Sequence, residues 1–83
     1  MQVFIYNFNN KHITIDCDKN DTIAYIKNLF INKCSLNGFN QELFYFTFGS
    51  KFLLDNKTLD NYNIGHGNTI HTRVRPHYIK NNI

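Results

Sequence analysis

The chain has 83 residues and a formal net charge of +3; it is 42% hydrophobic and 16% aromatic, with eight Phe, five Tyr and no Trp. That length limits it to one small domain whose core only just offsets conformational entropy, and the apolar content argues against a disordered chain. No apolar run exceeds four residues and no charged start precedes an apolar stretch. Neither a membrane-spanning helix nor a signal peptide is therefore predicted, and the protein is expected to be soluble, in the cytoplasm or nucleus. Abundant Asn, Ile and Lys with scarce Ala and Pro read as coding drift rather than function.

Val3 and Ile5, with Met1, alternate with Gln2, Phe4 and Tyr6, which predicts a strand with its odd residues facing a core. Asn7-Phe8-Asn9-Asn10 interrupts it, and Asn tolerates the left-handed backbone of a tight turn. Ile13, Ile15 and Cys17 then resume the alternation against His12, Thr14 and Asp16, so the first segment reads as a β-hairpin. Asn20-Asp21-Thr22 is a helix start, with Thr22 as the cap. From there Ile23, Ile26 and Phe30 recur at helical spacing, with Lys27, Asn28 and Lys33 on other faces, giving about three turns that end near Lys33-Cys34. Tyr25, Leu29 and Ile31 are read as an unusually apolar outer face of this helix.

Ser35 to Glu42, centred on Asn37-Gly38, is the connection out of the helix. Phe44, Phe46 and Phe48 alternate with Tyr45 and Thr47, the clearest strand signal in the chain. Gly49-Ser50 turns back into a short strand, Lys51 to Leu54. Asp55-Asn56-Lys57 is a second turn, Thr58 caps a brief helical turn, and Tyr62 and Ile64 return to the core. Beyond the Gly65 to Asn68 loop comes a last strand, with Ile70, Thr72 and Val74 inward and His71, Arg73 and Arg75 outward. Pro76 cannot donate to a ladder, so pairing stops there, and residues 76–83 read as a flexible tail. This order predicts an α+β fold, a mixed sheet packed on one helix.

Cys17 falls at an inward strand position and Cys34 at a helix end; pairing is conceivable, but two half-buried thiols suit a reducing compartment better. No zinc-finger spacing is present, and His66, His71 and His77 lie on segments not expected to converge, so no metal is predicted. The best enzymatic case would be a Cys nucleophile with a His base, but Cys17 is expected in the core, Cys34 ends a helix, and no third orienting group is evident. No catalytic residue and no cofactor are assigned.

The Met-Gln start, Asp21-Thr22-Ile23, the stretch Thr58-Leu59-Asp60-Asn61-Tyr62-Asn63-Ile64 and the order of segments resemble the ubiquitin family over about residues 1–75. The resemblance implies a β-grasp (ubiquitin-like) fold with the first and last strands parallel in mid-sheet. One small insertion is needed; placing it in Ser35 to Glu42 keeps Phe44, Phe46 and Phe48 inward, whereas a later position would turn them to solvent. The family's apolar binding patch matches Phe8, Thr47 and Arg73 here. A receptor built for that patch would have to bury a hydroxyl and a guanidinium, at a cost on the order of several kcal/mol, so ordinary ubiquitin receptors are expected to bind poorly. The outward set Phe8, Tyr45, Thr47, Lys51, His71 and Arg73 then reads either as a different contact surface for an acidic partner or as a solvated sheet face.

Of the lysines that carry chains in the family, Lys11, Lys27, Lys33 and Lys51 occupy matching positions. The family's C-terminal glycine pair is matched by Tyr78 and Ile79, whose bulk argues against threading into activating enzymes and hence against conjugation. The leading reading is a monomeric, non-catalytic ubiquitin-like protein-binding module or ubiquitin mimic, whose partners are proteins, those of the ubiquitin system among them. The alternatives are a modifier with an unusual C-terminus, and a basic module for RNA or acidic protein segments centred on Arg75, His77 and Lys80 together with His71 and Arg73. Nucleic acid is the less favoured partner, because no dense Lys and Arg stripe is present.

Overall fold

The computed structural model describes residues 1–35 and 40–75. The first hairpin joins β1, Gln2–Tyr6, to β2, His12–Asp16, in register from Gln2 opposite Asp16 to Tyr6 opposite His12. Its turn is built by asparagine: Asn7 Oδ1 accepts from the amides of Asn9 and Lys11, at 2.9 and 3.0 Å, and Asn10 takes the left-handed conformation at φ 59°.

Helix α1 spans Ile23–Lys33, and Thr22 caps it by accepting from the Tyr25 amide at 3.2 Å. Its buried stripe is Ile23, Ile26, Lys27, Phe30 and Ile31. Two expectations are corrected by this geometry. At 100° per residue, positions four and eight beyond Ile23 lie on the same stripe, so Lys27 and Ile31 point into the protein. Leu29 also packs against the core, which leaves Tyr25 alone as the exposed large side chain of the supposed outer face.

Within the expected connection, Asn40 caps a short 3-10 turn at Gln41–Leu43 by accepting from the Glu42 amide at 2.8 Å; the rest, residues 36–39, lies outside the described residues. Strand β3, Phe44–Phe48, buries Phe44 and Phe46 completely and packs Phe48 against the core, as its alternation predicts. Strand β4 is only Lys51–Phe52, shorter than the expected Lys51 to Leu54. The Leu53 amide still reaches Phe46 O at 3.0 Å, but the Leu54 amide donates to the Tyr62 hydroxyl at 2.8 Å and leaves the ladder. Thr58 and Asn61 cap each other, each amide donating to the other's side chain at 2.9 and 3.1 Å, and the 3-10 turn Asp60–Tyr62 follows.

Strand β5, Thr69–Val74, lies between β1 and β3, parallel to β1 and antiparallel to β3, in a five-stranded sheet of order β2-β1-β5-β3-β4. The first and last strands are thus parallel neighbours inside the sheet, as the β-grasp arrangement requires. The core between sheet and helix is centred on Val3, Ile5, Ile26, Phe30, Phe46 and Ile70, all fully buried. Of the residues expected inward on β5, Ile70 is buried and Thr72 half-buried, whereas Val74, at the strand end, is exposed.

Candidate binding face

The side of the sheet turned away from α1 carries two ring clusters, and strand register explains both. Directly opposed residues share a face: Tyr45 opposes Arg73, Thr47 opposes both His71 and Phe52, and Tyr6 neighbours His71 across the parallel pair. The Tyr45 and Phe52 rings stack with centroids 4.8 Å apart. The Arg75 guanidinium carbon lies 5.5 Å from the Tyr45 centroid and 5.7 Å from that of Phe52, a cation over ring faces that attract it. On the other half of the face, Tyr6 stacks on His71 at 4.8 Å and meets His12 edge-on at 4.2 Å, and Phe4 lies 5.8 Å beyond His12.

Four of the expected face residues, Tyr45, Thr47, His71 and Arg73, therefore do come together. Two do not. The Phe8 ring, 38% exposed, sits edge-on to Phe30 at 6.1 Å and Phe44 at 5.8 Å, so it extends the core from the β1–β2 turn rather than the outer face. Lys51 opposes Phe48, a residue packed on the core, and so starts from the helix side of the sheet. Arg75 joins the face, while His77 and Lys80 lie outside the described residues.

The face also holds Phe4, Tyr6, His12 and Phe52, beyond the residues expected there. For the strand β1 pair the signal existed, because the alternation that sent Val3 and Ile5 inward sent Phe4 and Tyr6 outward. Among the described residues the one ion pair is Lys27 with Asp55, so neither Arg73 nor Arg75 has a carboxylate partner there.

Of the lysines singled out from the sequence, Lys11, Lys33 and Lys51 are exposed. Lys27 is buried beneath the sheet with its Nζ 2.8 Å from Asp55 Oδ1, 3.4 Å from Phe44 O and 5.4 Å from the Phe44 ring centroid. Burial raises the Cys34 thiol above its ordinary value; burial first and then the Asp21 carboxylate raise that of Cys17. Both are free and half-buried. His66 has a structural task, its Nδ1 accepting from the Gln2 amide at 3.0 Å. Among the described residues no three His, Cys, Asp or Glu side chains converge as a metal site, and no helix is long and apolar enough to cross a membrane.

The family model for the ubiquitin family matches residues 3–77. The chain belongs to the ubiquitin family. In this ubiquitin-like domain the positions matching the family's apolar patch are thus split: Thr47 and Arg73 lie on adjacent strands of the outer face, while Phe8 leans onto core rings. The aromatic surface of the face comes instead from the Tyr45–Phe52 stack and from Phe4 and Tyr6 beside His12 and His71.

Proposed function

We propose that this ubiquitin-like domain is a non-catalytic protein-binding module whose outer sheet face receives acidic segments of partner proteins. The observation that carries the reading is Arg75 laid over Tyr45 and Phe52, beside Arg73, with no described carboxylate to neutralise either guanidinium. A guanidinium held against rings keeps its N–H edge free for a carboxylate and loses little side-chain freedom on binding. The stacked rings supply the apolar contact that large aromatics contribute at interfaces.

An acidic peptide carrying an aromatic residue, titrated against the ¹⁵N-labelled protein, tests this. Shifts should centre on Tyr45, Phe52, Arg73 and Arg75, weaken as salt rises, and vanish in Arg73→Ala with Arg75→Ala. Shifts elsewhere, or binding indifferent to both arginines, would overturn it; single-stranded RNA binding in place of peptide would favour the basic-module alternative. The proposal that the chain is not conjugated rests on Tyr78 and Ile79 at the positions matching the family's glycines. A reductant-sensitive thioester formed with activating enzyme and ATP would refute it.

A further inference from the structure

Among the described residues the sheet has two edges with no further strand, and they are of unequal character. Strand β4 is two residues long and starts at Lys51, and a short, charged strand is one way that proteins keep an edge from pairing. Strand β2 is less protected: its five residues pair one for one with β1, without a bulge, and include no Lys, Pro or Gly, their one charged side chain being Asp16 at the strand end. Its centre, Ile13-Thr14-Ile15, is a run of β-branched residues that favours an extended chain.

The phase of the ladder shows what this edge offers. The Cys17 amide donates to Met1 O and the Met1 amino group to Cys17 O, each at 2.8 Å, and the Asn7 amide donates to Lys11 O at 2.9 Å. Odd-numbered residues of this strand therefore bond to β1, and alternation turns the N–H and C=O groups of His12, Thr14 and Asp16 outward. No other described strand pairs with that side.

The exposed edge is complementary to itself. An antiparallel copy of β2 centred on Thr14 brings Thr14 opposite Thr14, His12 opposite Asp16 and Asp16 opposite His12, so that an imidazole meets a carboxylate on both sides of the axis. Threonine pairs are favourable across strands, and an imidazole N–H can donate to a carboxylate. On the helix side the same register sets Ile13 opposite Ile15. Ile15 lines a groove of about 290 Å³ between β2 and α1, with Leu29 on its other wall and Asn32 and Lys33 flanking it. The two-fold axis of such a pair runs perpendicular to the sheet, so both grooves lie on one side and meet at the axis.

We infer that β2 pairs antiparallel with β2 of a second copy of this chain, centred on Thr14, joining two sheets into one. Such a pairing forms about six main-chain hydrogen bonds, two at each outward-turned position. Its small extent makes it a weak, concentration-dependent dimer. It also sets two outer faces side by side, which would raise the avidity for a partner carrying repeated segments.

Sedimentation of the whole chain from about 10 μM to about 1 mM, with amide exchange followed at both limits, tests the inference without any partner present. The mass should rise from 9.9 kDa toward twice that value, and Thr14 amide exchange should slow about tenfold as the dimer fills. Thr14→Pro removes an N–H that β1 does not use and should abolish association while the fold persists. Asp16→Lys should abolish it too, and adding His12→Glu to that variant should restore it by reversing both pairs. A monomer at every concentration, with Thr14 exchange unchanged, overturns the inference. So does a dimer that survives Thr14→Pro and Asp16→Lys alike.

Discussion

Lys27 Nζ lies 2.8 Å from Asp55 Oδ1, with the lysine side chain 1% exposed and the aspartate 57%. The ammonium is thus enclosed by protein on the helix side while its counter-charge sits at the surface. Removing one member of a buried pair costs about 3–5 kcal/mol; solvent around Asp55 reduces this to about 1–3 kcal/mol for Asp55→Ala. Lys27→Met, which removes the charge and keeps the volume, should change stability by less than about 1 kcal/mol. Urea melts of both variants check this, and equal losses would show that packing rather than the pair matters. In limited acetylation of the native protein, Lys11, Lys33 and Lys51 should react before Lys27, which must wait for local opening.

Phe8, which the resemblance matches to the family's apolar patch, touches Phe30 and Phe44. Edge-on aromatic contacts contribute about 0.5–1.5 kcal/mol beyond the area they bury, so Phe8→Ala should destabilise the domain by about 1–2 kcal/mol. Phe52→Ala, on the outer face, should cost less than about 1 kcal/mol. Thermal melts that rank the two in the opposite order would return Phe8 to the surface.

Thr72 Oγ1 is buried and has no hydrogen-bond partner among the described residues. A hydroxyl removed from water without compensation costs about 1–3 kcal/mol. Thr72→Val keeps the shape and removes the unpaired group, so it should stabilise the domain by about 1 kcal/mol. Thr47→Val, one position away on the opposite face, is the control and should stay within about 0.5 kcal/mol. A destabilised Thr72→Val variant would mean that the hydroxyl is satisfied in solution.

Both cysteine thiols are raised above their ordinary value of 9.0, by burial foremost. A raised acid holds its proton more tightly folded than unfolded, so its contribution is constant below pH 9.0 and stability is lost as pH climbs from there through the folded values. Iodoacetamide should accordingly modify both thiols more slowly than it does free cysteine at pH 8. Cys17→Ser with Cys34→Ser should flatten the loss of stability above pH 9. Rapid alkylation of the native protein at neutral pH would contradict the burial argument.

The strand and helix positions were legible because each is written in local periodicity. Phe44, Phe46 and Phe48 alternate regardless of what they face, and Thr22 caps a helix through an amide three residues away. Lys27 and Ile31 are harder to place because a charge suggests solvent, yet helical spacing sets both on the buried stripe begun by Ile23. The length of β4 was hidden, because it is set by the Tyr62 hydroxyl taking the Leu54 amide, a contact between segments that no local pattern records.

The outer face divides along the same line. Alternation alone determined that Phe4, Tyr6, Tyr45, Thr47, His71 and Arg73 point away from the core, and the family's motifs determined the β-grasp order of strands. Only the tertiary structure decided which of them meet: Tyr45 with Phe52 and Arg75, Tyr6 with His12 and His71, Phe8 with the core. Periodicity fixes a side chain's direction relative to its own strand, whereas contact depends on register and strand order, which are settled by how distant segments pack.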